Sequence, residues 1–160
     1  MATKGKEIVK TNVNELINLL NKALADEWLA YYQYWIGAKV IKGQTSKSII
    51  KELEEHASEE LKHAEMLVKR ILQLDGKPIL KPEDWYKLTN CGYSAPEDYS
   101  DKAILKQNIE GEQCAIEVYN KLLFLTKNSD PITSEIVLEI LKDEVEHEDD
   151  LEKLLEDISS

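Results

Sequence analysis

Apolar residues recur at the helical period of about 3.6 positions over four stretches of the chain. The first stretch runs from Val13 to Ile41 and stops at Lys42-Gly43. The second runs from Ser46 to Leu74, with Gly76 as its C′ stop and Pro78 beyond it. The third begins near Ser100-Asp101 and ends near Lys127-Asn128. The fourth opens with Asp130 as N-cap and Pro131 at N1, and reaches about Ile158.

Each predicted helix has nearly 30 residues, roughly 40–45 Å at 1.5 Å per residue. Only a few residues separate the first helix from the second and the third from the fourth, so each pair folds as an antiparallel hairpin. The 24 residues from Gly76 to Tyr99 hold three of the four prolines, two glycines and a cysteine. A segment of that length can cross a whole bundle at up to roughly 3.3 Å per residue, which sets the second and third helices parallel. The predicted fold class is all-α: a four-helix bundle of two antiparallel hairpins joined by a long crossover. It forms one domain over residues 1–160, with residues 1–11 as a flexible tail.

Composition narrows the class of partner. Six glycines and four prolines in 160 residues favour helix. A net charge of −11 argues against DNA binding, which needs a basic surface. Lys4, Lys6 and Lys10 form a small basic tail that reads as a solvated terminus. No 18-residue apolar run is present, and the N-terminus lacks the apolar core of a signal peptide. Two cysteines are too few for a disulfide scaffold, so the expected compartment is cytoplasmic and no membrane partner is expected.

One polar pattern is written twice. Glu27 is followed by Glu60-Leu61-Lys62-His63, and Glu112 by Glu144-Val145-Glu146-His147, with the copies offset by 85, 84 and 84 positions. Tyr34 and Tyr119, seven residues after each lone Glu, repeat at 85 as well. Residues three apart share a helix face, so each Glu-x-x-His pair can offer oxygen and nitrogen to one ion. One Glu from each of two helices and Glu-x-x-His from each of the other two make a two-metal carboxylate site. Four carboxylates carry −4, which two divalent ions cancel, and the mixed oxygen and imidazole set suits iron or manganese. Glu27 and Glu112 would bridge or cap the pair. Tyr34 and Tyr119 return to the same face two turns on, where they can hydrogen-bond the ligand carboxylates.

With 21 glutamates in the chain, a single Glu-x-x-His is ordinary; the repeated spacing of all six residues and the tyrosines is not. His56 lacks a Glu three residues before it and reads as a supporting or surface histidine. Glu110 competes with Glu112, and the 85-residue register favours Glu112. Trp28, Tyr31, Tyr32, Tyr34 and Trp35 point around more than half of the first helix, which suggests subunit contacts, with ordinary core packing as the alternative. The acidic runs at Glu52–Glu59 and Glu146–Asp150 read as solvated faces, or as the lining of a shell that attracts iron.

The stretches LNKALADEWLAYYQYW, EELKHAEMLVKRIL and EILKDEVEHEDDLEKL resemble helices of bacterioferritin, and nearly the whole chain is similar to the ferritin-like superfamily. The resemblance implies ligand roles for Glu27, Glu60, His63, Glu112, Glu144 and His147, with two iron ions per chain and manganese possible in their place. Leu61 stands where bacterioferritin carries its haem-ligating Met, so haem is not expected. The chain stops at the fourth helix, without the fifth helix of 24-subunit ferritins. Those traits together resemble the Dps-like thioferritins, which implies a homo-oligomer, a dodecamer, with a cysteine pair near a bacterioferritin-type site. Cys91 and Cys114 are the candidates for a redox pair. Cys114 lies two residues, about 200°, around the helix from Glu112, so pairing requires the Cys91 loop to fold back over the third helix. The bland alternative is one buried and one loop cysteine without function.

The resemblance implies a ferroxidase and iron-storage protein that oxidises Fe(II) with hydrogen peroxide or oxygen, deposits ferric mineral in a hollow shell and protects against oxidative stress. The alternatives are a non-storing di-iron or di-manganese peroxidase, like rubrerythrin or manganese catalase, and a metal-free helical interaction protein. Two cysteines cannot build a four-Cys rubredoxin centre, which weakens the rubrerythrin case.

Overall fold

The computed structural model describes residues 3–160. Its elements are α1 (Thr3–Glu7), α2 (Val13–Val40), α3 (Ser46–Gln73), a 3-10 turn (Pro82–Asp84), α4 (Trp85–Leu88), α5 (Asp101–Thr126) and α6 (Pro131–Ser159). The four long helices match the four periodic stretches to within a residue or two. Of the expected flexible stretch, Met1 and Ala2 lie outside the described residues. Thr3–Glu7 form α1, and the Lys10 amide donates to Ser129 O at 2.7 Å.

The helix ends follow local chemistry. Asn12 caps α2 by accepting from the Glu15 amide, Ser100 caps α5 through the Ala103 amide, and Asp130 caps α6 through the Thr133 amide, with Pro131 in the first turn. The end of α3 corrects the expectation for Gly76. Asp75, at φ 59°, is the left-handed residue; its amide bonds Leu72 O, and the Gly76 amide bonds Ile71 O at 2.8 Å. That is a Schellman motif with Asp75 at C′. Gly76 serves a different need: a Cβ there would sit 2.9 Å from three side-chain carbons of Ile17.

α2 packs along α3 and α5 along α6, and the two hairpins close on each other. The backbone bridge between Lys42 and Ser100 puts the start of α5 beside the end of α2, so α3 and α5 run parallel. The crossover runs up α2 and is tied to it at three heights. Asn21 bonds Lys77 O and the Ile79 amide. Asp26 accepts from Thr89, Asn90 and Cys91. The Lys42 amide bonds Tyr99 O.

The apolar core falls into two halves. One gathers Leu16, Leu20, Leu24, Leu67, Ile71, Tyr119 and Ile140; the other gathers Tyr34, Ile49, Leu53, Ile104, Leu105 and Leu151. In the first half's end of the bundle, Arg70 grips buried Asp130 through two 2.9 Å hydrogen bonds and pins the α6 cap to α3. Between the halves lies a polar layer that holds the candidate site.

Candidate metal centre

Each long helix delivers its share of one cluster. Glu27 comes from α2, Glu60 and His63 from α3, Glu112 from α5, and Glu144 and His147 from α6, and all six are buried. Glu27, Glu60, His63 and Glu144 place ligand atoms within 4.8 Å of one another, and so do Glu60, Glu112, Glu144 and His147. The two quartets share Glu60 and Glu144. Glu27 and Glu112 therefore stand at the outer ends and the Glu-x-x-His carboxylates in the middle. His63 Nδ1 lies 2.9 Å from Glu144 and 3.5 Å from Glu27; His147 Nδ1 lies 3.1 Å from Glu60 and 3.4 Å from Glu112. Glu110 stays exposed, as the repeat register requires.

The unpaired atoms identify what fits between them. Each of the six residues holds one buried polar atom without a hydrogen-bond partner: Glu27 Oε2, Glu60 Oε1, His63 Nδ1, Glu112 Oε2, Glu144 Oε1 and His147 Nδ1. Orphaned buried polar atoms are costly, and six in one cluster need a common partner. Two divalent cations fit this donor set of oxygens and imidazole nitrogens.

Protons take up the strain when no cation is bound. Burial, then the Glu60 charge, pushes the Glu27 carboxyl well above the usual carboxylate range. Burial and the charges of Glu112 and Glu60 do the same to Glu144. Burial also acts to raise Glu60, but its close contacts with Glu27, His147 and His63 outweigh it and hold Glu60 low. Burial acts to lower both imidazoles, yet their carboxylate partners prevail: His63 rises far above its ordinary value and His147 to about 11.

The surrounding contacts exchange partners across the pseudo-twofold axis. Tyr34, on α2, donates to Glu112 on α5, and Tyr119, on α5, donates to Glu27 on α2. His63 Nε2 meets Asp143 at 2.9 Å, while His147 Nε2 meets Glu59. Each histidine thus turns Nδ1 inward and ties its outer nitrogen to a carboxylate, the arrangement that fixes a ligand's ring and tautomer. Sequence reasoning missed Asp143 and Glu59. The signal was available, since an acid precedes the Glu of both motifs, in Glu59-Glu60 and Asp143-Glu144. His56 is buried, stacked on His147 with ring centres 4.0 Å apart and edge-on to Tyr34. Burial and the neighbouring His147 charge push its pKa down to about 3.

Cys91 and Cys114 form a disulfide, with Cα atoms 5.9 Å apart. The Cys91 loop does fold back over α5, and what holds it is Asp26, a third residue that sequence reasoning missed. Its carboxylate accepts from Thr89 Oγ1 (2.5 Å), the Asn90 amide (2.8 Å), Asn90 Nδ2 (2.7 Å) and the Cys91 amide (3.0 Å). The disulfide lines a cavity of about 140 Å³ whose walls include Glu27, Tyr34, Glu60, Glu112 and Glu144. Among the aromatics of α2, Trp28 stacks on Trp85 of the crossover at 5.3 Å, whereas Tyr32 and Trp35 remain exposed.

Comparison with known proteins agrees with this architecture. A ferritin-like domain model matches residues 17–160. A DNA protection during starvation protein of Pyrococcus furiosus is 35% identical over 145 residues, 90% of this chain and 78% of that one. Bacterioferritin of Rhodobacter capsulatus is 27% identical over 139 residues, 86% of this chain and 81% of that one. Among solved structures, the dodecameric thioferritin of Bacteroides fragilis, a bacterioferritin-related protein, superposes with a TM-score of 0.96 at 42% identity, covering 99% of this chain and 95% of that one. Dps from Thermosynechococcus elongatus shares the fold, with a TM-score of 0.84 at 20% identity over 89% of this chain and 90% of that one. On the family match, the sequence relatives and the bundle with its carboxylate–histidine cluster, the chain belongs to the ferritin-like family, beside the Dps-like thioferritins and the bacterioferritins.

Proposed function

We propose that this protein is a ferroxidase that stores and detoxifies iron. The observation that carries the reading is the pair of quartets sharing Glu60 and Glu144, with one orphaned inward atom on every member. Fe(II) is the substrate: two ions enter, each loses one electron, and hydrogen peroxide accepts the two electrons with two protons and leaves as two waters. Hydrogen peroxide is the preferred oxidant in this reading, with oxygen as a second.

The chain's own residues supply position and charge. Glu27 with His63 and Glu112 with His147 hold one ion each, and Glu60 and Glu144 span both. Tyr34 and Tyr119 restrain the outer carboxylates, while Asp143 and Glu59 keep the imidazoles turned inward. Carboxylate oxygens accommodate both Fe(II) and Fe(III), so the same set holds substrate and product. The disulfide cavity provides the approach for small oxidants. Ferric product then moves to a mineral inside a closed shell of twelve chains in the cytoplasm, which removes Fe(II) and peroxide together.

Glu60→Ala with Glu144→Ala removes both shared carboxylates. Loss of ferric absorbance growth after mixing anaerobic Fe(II) protein with peroxide is the expected result, and oxidation at the parent rate would sink the assignment. If the parent protein retained only two irons per chain after repeated loading, the storage half of the proposal would fail. The non-storing peroxidase reading would replace it.

A further inference from the structure

A second set of metal-ligating groups lies beside the centre and is not used by it. Glu52 and His56 sit one turn apart on α3, and Asp150 follows His147 by one turn on α6. Their ligand atoms lie within 4.8 Å of one another. His56 Nε2 is aimed between the two carboxylates, 3.2 Å from Glu52 Oε1 and 4.0 Å from Asp150 Oδ2. His56 is 2% exposed, and its other ring nitrogen, Nδ1, is buried without a hydrogen-bond partner among the described residues. The carboxylates are half-buried, with side-chain exposures of 28% and 34%. Among the described residues, no lysine or arginine forms an ion pair with either. Lys51 turns to Glu55 at 3.5 Å, and Lys153 to Asp149.

An inward imidazole between two carboxylates that lack a cationic side-chain partner is a donor set for a borderline divalent ion. Two of the three ligands reach solvent, so an ion can arrive without unfolding either helix. The location adds direction. His56 also stands within 4.8 Å, ligand atom to ligand atom, of Glu112 and His147 of the centre. Glu52 lies two turns, about 12 Å along the axis, from Glu60.

We propose that Glu52, His56 and Asp150 form a third divalent-cation site, taking Fe(II), which adjoins the two-metal centre through His56. It is a station between the half-exposed seam of α3 and α6 and the buried centre. The proposal builds on the metal-binding reading of the six central residues, but its own ligands are separate from them.

Mn(II) serves as the probe, because it does not oxidise under the conditions of equilibrium dialysis and gives an anomalous X-ray signal. The metal-free protein should bind three Mn(II) per chain, with a third anomalous peak among Glu52, His56 and Asp150. Glu52→Gln with Asp150→Asn should reduce the count to two and erase only that peak. Glu60→Ala with Glu144→Ala should leave one ion, at the third position. Two ions in the parent protein, or an unchanged count after Glu52→Gln with Asp150→Asn, would overturn the proposal while leaving the centre intact. If the two central peaks survived Glu60→Ala with Glu144→Ala, the central assignment would fail, and a third peak persisting there would still support this site.

Discussion

Asp143 and Glu59 show how much of this site depends on residues one step from the motif. Each holds the outer nitrogen of the histidine from the opposite copy, at 2.9 Å for Asp143 and His63. Truncating such a partner typically weakens metal binding about 10–100-fold, since the ring is freed to rotate and loses basicity. Asp143→Ala and Glu59→Ala should each lower Mn(II) or Fe(II) affinity by that order in titration calorimetry without unfolding the bundle; unchanged affinity would remove their supporting role.

The protons of the centre give a pH dependence with a definite sign. His63 and His147 have folded values above the ordinary imidazole value of about 6.5. Burial opposes this shift in both, and the carboxylates around them reverse it. The stability they contribute is therefore full below about pH 6.5 and is lost as pH rises toward about 11, the value for His147. Glu27 and Glu144 act in the same sense from the carboxylate range upward. His56 runs the other way: its contribution is present above about pH 6.5 and is lost as pH falls toward about 3. Bound dications need deprotonated ligands, so loading must release protons and tighten with pH. The Tm of the metal-free protein should fall between pH 6.5 and 9 while that of the loaded protein stays nearly level. Calorimetry in two buffers of different ionisation enthalpy should register net proton release, and proton uptake on loading would contradict this account.

At the scale of elements, the bundle is assembled by caps and by close approaches. Asn12, Ser100 and Asp130 start three of the long helices, and the Schellman turn at Asp75 and Gly76 ends α3. The glycine at 76 is required by packing rather than by φ, because three carbons of Ile17 stand 2.9 Å from where its Cβ would be. Gly76→Ala must therefore displace Ile17 from the first core half, an overpacking that costs about 1–3 kcal/mol. Chemical denaturation should show that loss, with the metal centre unaffected; a neutral or stabilising effect would mean that α2 moves aside freely. Asp26 works at the same scale. It converts the free crossover into a fixed wall of the cavity by taking four hydrogen bonds from Thr89, Asn90 and Cys91.

For the whole molecule, the aromatics of α2 divide between two tasks. Trp28 is consumed within the chain by Trp85, while Tyr32, Trp35 and, on the crossover, Tyr86 stay on the surface. Exposed aromatic rings of this size are the usual material of subunit interfaces. Twelve chains of 18.4 kDa would weigh about 221 kDa. Analytical ultracentrifugation should find a species of that mass, and a monomer or dimer at micromolar concentration would exclude a closed shell.

The four long helices and the gathering of six buried Glu and His side chains were legible in the chain itself. Both follow from local rules: apolar residues must share a face every 3.6 positions, and residues three apart on a helix point the same way. Repetition of the motif at 84–85 positions made the assembly of one site from two halves readable as well. The tertiary structure decided which carboxylates are shared, which acid holds which histidine, that Cys91 meets Cys114, and that Asp26 clamps the loop between them. The disulfide spans 23 positions, the Asp26 clamp 63 to 65, and the two acid–histidine contacts 80 and 88. They depend on the rotation of each helix about its axis and on the path of an irregular crossover, and no local period encodes either.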